Sequence, residues 1–525
     1  MRLLFRCLLA IVICGVAFLQ AVGQASCPAR PVPGSVVQDA LNLTSVNGVL
    51  SADFALGHLV DQYGYTHYCY DYKISDGHFA EAPTLRLNQG DTLMLGVADR
   101  IQGDDLVGMK MNMPAPTGKT CGDGGTPTLQ STNVHFHGLN VSPNCHADDV
   151  LTTLIQPGTP GFQFTIPIPA DEPPGLYWYH PHVHGFTEFQ VNGGAAGALV
   201  VEGMEKIHPE VAGLTERIFT IRQQYLVPWI PGPYQLSLNF QVSAFPFPHP
   251  QIEMAPGEKQ FWRVLNATIQ DFMPLQFQVN GVAQPMELIA LDGYPIATPR
   301  KETTILVPPA GRAEFVVQAP PAGQLAQFVT LNYSTGPTGN PDIPQVIGAI
   351  TLTNNPAKAQ AVKPAAGPPI RLENLKFANL ASQKANTQRK IYFSEEFGGT
   401  NGPIQFYITV DGQKQRVFEP DEKPAITTNV GQVEDWYIEN RALETHAFHI
   451  HQIHFMMLEV DGKPVTNDYR DTIEVPFWEG PGHPYHSVKV RMDFRDPAIA
   501  GTFVFHCHIL LHEDLGMMHK ILVQP

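Results

Sequence analysis

Pro424-Ala-Ile-Thr-Thr-Asn-Val-Gly-Gln-Val-Glu-Asp-Trp-Tyr-Ile-Glu-Asn440 is the stretch on which the fold turns. Trp436 and Ile438 stand two apart between Asp435 and Glu439, the period of a strand with one buried face, and Gly431-Gln432 marks a turn just before it. The pattern recurs twice. Pro83 and Pro250, like Pro424, stand seven residues before a glycine (Gly90, Gly257, Gly431), which is followed by Asp91, Glu258 or Gln432 and, nine residues on, by Asp99, Asn266 or Asn440. Leu85, Ile252 and Ile426 occupy one matching apolar position, and Leu95/Val97, Trp262/Val264 and Trp436/Ile438 the alternating ones. Copies spaced 167 and 174 residues apart predict three similar β units.

Composition agrees. With 45 glycines, 47 prolines and 16% charged residues, the chain turns often and carries less charge than the roughly 25% of an average domain. Segments such as Arg217–Arg222 and Ala313–Gln318 read as strands, and no long amphipathic helix is evident, so the expected fold class is all-β. A net charge of −16 argues against nucleic acid or an anionic membrane as partner. Arg2 and Arg6, an apolar run from Cys7 to Leu19 and the small residues Ala21 to Ala25 read as a signal peptide over 1–25. The run is shorter than the roughly 20 residues of a membrane span, so an exported protein, periplasmic or extracellular, monomeric and without a membrane span after cleavage, is expected. The expected units are residues 26–205, 206–355 and 386–525, with 356–385 as linker.

Five cysteines remain beyond the signal. Cys121 and Cys145 bracket a histidine-containing segment and are expected to pair, leaving Cys27 with Cys69 and a free Cys507. Cys507 lies between two histidines. Four short segments hold ten of the 21 histidines: His135-Phe-His137-Gly138, His180-Pro-His182, His446-Ala-Phe-His449-Ile-His451, and His506-Cys507-His508 running on to His512 and Met517. The first two lie in the first copy of the repeat and the others in the third. On a strand, His506 and His508 project one way and Cys507 the other, and His446 opposes His449 and His451. Two ligand groups result: His446, Cys507, His512 and Met517, the donor set of an electron-transfer copper site, and the eight remaining imidazoles. His184 shares the parity of His180 and His182 but is expected to stay outside the ligand set, as are His454, His483, His486 and His519.

These four segments, which span most of the chain beyond the signal, resemble the copper-binding motifs of the multicopper oxidases, the laccase family. The resemblance implies three cupredoxin-like Greek-key β-sandwich or barrel domains and four copper ions. One, type 1, would sit on His446, Cys507, His512 and Met517; one, type 2, on His135 and His449; two, type 3, on His137, His180, His182, His451, His506 and His508. It also implies one-electron oxidation of a small aromatic or metal-ion donor coupled to reduction of dioxygen to water. Glu513, and Asp148 or Asp149, are expected proton donors to oxygen reduction, and Glu444 is expected to accept a phenolic proton beside a solvent-facing His512. Without a long Met-rich insert before Cys507, phenols and aromatic amines are favoured over Cu(I) or Fe(II). Met109-Lys-Met111-Asn-Met113 is the one methionine cluster. A complete ligand set speaks against a non-catalytic copper-binding relative.

Overall fold

The computed structural model describes residues 27–61, 63–74, 77–102, 120–224, 235–244, 246–356, 359–363, 367–398 and 404–525. The signal read over 1–25 and the cluster Met109 to Met113 lie outside the described residues. No helix among the described residues is long and apolar enough to cross a membrane.

Among the described residues six large sheets occur, in three successive pairs along the chain. The fold class is all-β, as expected. Each copy of the repeat is a corner. Strands Thr84–Leu87, Gln251–Met254 and Ile426–Asn429 lie in one sheet of their pair, and Thr92–Asp99, Lys259–Ala267 and Gln432–Asn440 in the other. The glycine between them, Gly90, Gly257 or Gly431, has a φ of 81°, 78° or 94°, a conformation that favours glycine. The second arm of each corner pairs parallel with an equivalent neighbour: Thr92–Asp99 with Val49–Val60, Lys259–Ala267 with Thr215–Gln224, and Gln432–Asn440 with Thr387–Phe397.

The apolar positions of the repeat point into three cores, one per sheet pair, centred on Leu95, Trp262 and Trp436. The two indoles are fully buried, and each donates its N–H to the side chain two residues earlier, Trp262 to Gln260 at 3.0 Å and Trp436 to Glu434 at 2.8 Å. A buried indole N–H needs such a partner. Trp436→Ala is therefore expected to destabilise the third sheet pair by about 3–5 kcal/mol. Urea unfolding followed by near-ultraviolet circular dichroism would test it, and a loss under about 1 kcal/mol would contradict the packing account.

Both expected disulfides are present, Cys27–Cys69 and Cys121–Cys145, and Cys507 is the free cysteine among the described residues. The stretch proposed as linker is not loose throughout. Leu375, Phe377 and Leu380 are buried, and the Tyr294 and Tyr469 hydroxyls donate to the carbonyls of Lys376 and Phe377.

Candidate metal centre

Register brings the histidine segments together. His180 pairs with His135 across adjacent strands of the first sheet pair, and His449 pairs with His506 in the third. The two sheet pairs then meet ring to ring: His135 stacks on His451 at 3.8 Å and His137 on His449 at 3.9 Å. His182 and His451 bring their Nε2 atoms to 3.4 and 3.2 Å from that of His506. His508 lies 5.1 Å from His137 and 5.6 Å from His180, ring centre to ring centre. All eight histidines are buried. Asn133 fixes the His182 segment, accepting its backbone N–H at 2.7 Å and donating to its carbonyl at 3.3 Å.

Burial, reinforced by neighbouring rings, pushes these imidazoles below their usual range, His180 to about 3 and His506, through burial, to about 4. They are neutral, so each has one N–H and one lone pair. The N–H groups of His180, His449 and His506 go to backbone carbonyls, of Pro181, Asp471 and Cys507. His135 Nδ1 faces Asp148 at 3.0 Å, and His137 Nε2 faces Asp471 at 3.2 Å. Left over, buried and without a hydrogen-bond partner, are His135 Nε2, His137 Nδ1, His180 Nε2 and His449 Nε2. Unpaired buried acceptors are costly, and a cluster of them pointing inward fits bound metal ions. Copper suits this donor set.

The second group is equally buried. Cys507 Sγ lies 3.5 Å from His446 Nδ1 and 3.9 Å from His512 Nδ1, and those two nitrogens are 3.4 Å apart. The loop returns through backbone bonds from Met517 N–H to the His512 carbonyl at 2.8 Å and from Cys507 N–H to the Met517 carbonyl at 3.0 Å, and Met517 packs in the same core as Cys507. Burial pushes the Cys507 thiol up, so its thiolate requires a positive partner.

The acids divide. Glu513 Oε1 lies 3.4 Å from His182 Nε2 and Oε2 3.2 Å from His506 Nδ1. Asp148, pushed up to about 8 by burial, holds His135 and accepts the Phe136 N–H. Asp149 is a correction: its carboxylate closes a turn on the N–H groups of Leu151 and Thr152, and no contact brings it to a ligand histidine. A second correction concerns His512, which is only 4% exposed because the Phe406 ring stacks on it at 4.0 Å. Glu444 Oε2 lies 3.7 Å from His512 Nε2, and Glu395 Oε1 3.4 Å from His446 Nε2. Burial and the Glu395 carboxylate push Glu444 up to about 8. His184 stays outside the ligand clusters, its ring edge against Phe418. A mainly apolar cavity of about 50 Å³ is lined by Leu151, His182, Val183, Pro420, Val504 and Met518 among others. Glu395, Asp471 and Arg312 escaped the sequence reading because no motif surrounds them.

Comparison with known proteins converges on the same segments. Multicopper oxidase family models match residues 128–206 and 398–525, which contain every ligand named above. A multicopper oxidase of Staphylococcus haemolyticus is 27% identical over 412 residues, 75% of this chain and 77% of its own. A laccase of Bacillus stratosphericus is 24% identical over 388 residues, 66% and 70% of the two chains. Among solved structures, a Campylobacter jejuni multicopper oxidase, described as a metallo-oxidase, shares the fold with a TM-score of 0.66 at 22% identity, covering 94% of this chain and 96% of its own. Two family matches over the ligand segments, on a fold that brings those segments together, give the conclusion: residues 128–206 and 398–525 are multicopper oxidase domains, those of the copper-dependent oxidases that use dioxygen.

Proposed function

We propose that this oxidase takes electrons one at a time from phenols and aromatic amines and reduces dioxygen to two waters, with four coppers. One is held by His446, Cys507, His512 and Met517, one by His135 and His449, and two by His137, His180, His182, His451, His506 and His508. Copper at these positions supplies one-electron transfer and oxygen reduction. The observation that carries the reading is the Cys507 strand: the thiol groups with His446 and His512, while the adjacent His506 groups with His182 and His451 and His508 lies beside His137 and His180. With copper held in both groups, the Cys507 backbone would give a covalent path between them.

The chain's own groups do the rest. Phe406 stacks on His512, and Glu444 beside it, pushed up to about 8, accepts the phenolic proton in its ionised form, so oxidation of phenols rises with pH through that value. The apolar cavity that has His182 in its lining suits dioxygen, and Glu513, beside His182, is placed to deliver protons there. Units over 26–205, 206–355 and 386–525, joined by 356–385, are supported by sheet pairs that fall within them.

One observation favours a second reading. Glu395 and Glu444 put two carboxyl groups at the outer edges of both type 1 imidazoles, hard oxygen donors suited to Fe(II). Steady-state oxygen uptake with a phenol, an aromatic amine, Cu(I) and Fe(II), on wild type and on Glu444→Gln, separates them. We expect the aromatic donors to give the highest kcat/KM and Glu444→Gln to lower it about tenfold, equivalent to about 1.4 kcal/mol. Fastest turnover with Fe(II), lost selectively in the variant, would make the protein a ferrous oxidase.

A further inference from the structure

The second copy of the repeat contributes no copper ligand, yet one of its side chains stands behind the trinuclear histidines. Arg312, fully buried, uses all five of its N–H donors: Nε to the Leu176 carbonyl at 3.2 Å, Nη1 to the Ala310 carbonyl at 3.1 Å and Asp471 Oδ1 at 2.8 Å, Nη2 to the Asp292 carbonyl at 2.8 Å and Asp471 Oδ2. Leu176 lies on a strand of the first sheet pair, Ala310 and Asp292 in turns between strands of the second, and Asp471 between two strands of the third. The clamp therefore joins all three.

Asp471 passes this order to the metal site. Its Oδ1 lies 3.2 Å from His137 Nε2 and its backbone carbonyl 2.8 Å from His449 Nδ1, while Thr472 Oγ1 lies 3.4 and 3.2 Å from the same two nitrogens. An ionised carboxylate and a carbonyl only accept, so His137 carries its proton on Nε2 and His449 on Nδ1. The inward nitrogens, His137 Nδ1 and His449 Nε2, are the ones without a partner. The remaining neighbours are His454, whose Nε2 donates to the Asp292 carbonyl at 2.7 Å and lies 3.7 Å from Asp471 Oδ2, and Asp292, whose Oδ1 accepts the Arg312 backbone N–H. Gly138 admits the pair: a Cβ there would sit 2.5 Å from Arg312 Nη2 and 2.7 Å from Asp471 Oδ2.

We propose that Arg312 and Asp471 form a positioning clamp that sets opposite tautomers on His137 and His449, so that a copper-free repeat dictates which nitrogens the trinuclear site presents. The inference rests on the copper assignment above, and wild-type copper content is its control: a wild type that bound no copper would sink that assignment, not the clamp.

The test is Asp471→Asn, with Arg312→Lys as the variant that keeps charge but has a single donor atom with three hydrogens. In copper-loaded Asp471→Asn the blue absorbance per protein should be retained, while copper per protein falls by at least a quarter and the type 2 spin-resonance hyperfine splitting changes. Arg312→Lys should show the same changes in smaller degree. A folded variant of either kind with full copper and wild-type resonance, altered only in thermal stability, would overturn the proposal. Independently of any variant, nitrogen NMR of the copper-free full chain labelled with ¹⁵N-histidine should find His137 protonated on Nε2 and His449 on Nδ1. The opposite tautomer at either ring would also overturn it.

Discussion

Cys507→Ser abolishes the intense visible colour of the copper-loaded protein and its turnover with every donor, while copper at the eight-histidine site stays detectable by spin resonance. The charge-transfer band requires a thiolate, and Cys507 is the free cysteine among the described residues. The substitution is nearly isosteric, and it sits in a strand whose backbone bonds to Met517 and His519 are untouched. Folding should therefore survive, and the loss is specific to electron entry. A serine variant that stayed blue would remove Cys507 from the copper site and, with it, the covalent path to His506 and His508.

Glu513→Gln is expected to slow reoxidation by dioxygen about a hundredfold and to leave reduction of the type 1 site by donor within about twofold. The carboxyl is buried, and burial together with the neighbouring Asp514 pushes it well above its ordinary range, so at neutral pH it carries a proton between His182 and His506. Asp514 cannot substitute. Its oxygens already accept the N–H groups of Gly185, Thr187 and Glu188, which ties it to the helix Thr187–Gly193. Glutamine keeps the volume and can still accept from Thr187 Oγ1, as Glu513 Oε1 does at 3.1 Å. Stopped-flow measurement of the two half-reactions decides the matter: unchanged rates in both would reduce Glu513 to a structural partner of Thr187.

The division between local and tertiary information is sharp at this site. Strand parity is a property of the backbone, so the opposition of Cys507 to His506 and His508, and of His446 to His449 and His451, was legible from spacing alone, as were the three glycine corners. The free Cys507 and both disulfides followed from counting. Parity says nothing about how far a strand lies from the surface, and so His512 was expected to face solvent, whereas Phe406, more than a hundred residues earlier, covers it. Nor does it distinguish adjacent carboxylates. Asp148 turns inward to His135, while Asp149 folds back on its own turn. Arg312 and Asp471, 159 residues apart and flanked by no motif, meet only because three sheet pairs pack around one point. The sequence by itself determined the strands, the corners and the identities of the metal donors, because each depends on residues a few positions apart. Tertiary packing alone decided which nitrogens face inward, which acids reach them and how much of the site is covered, because those depend on contacts between residues that no periodicity relates.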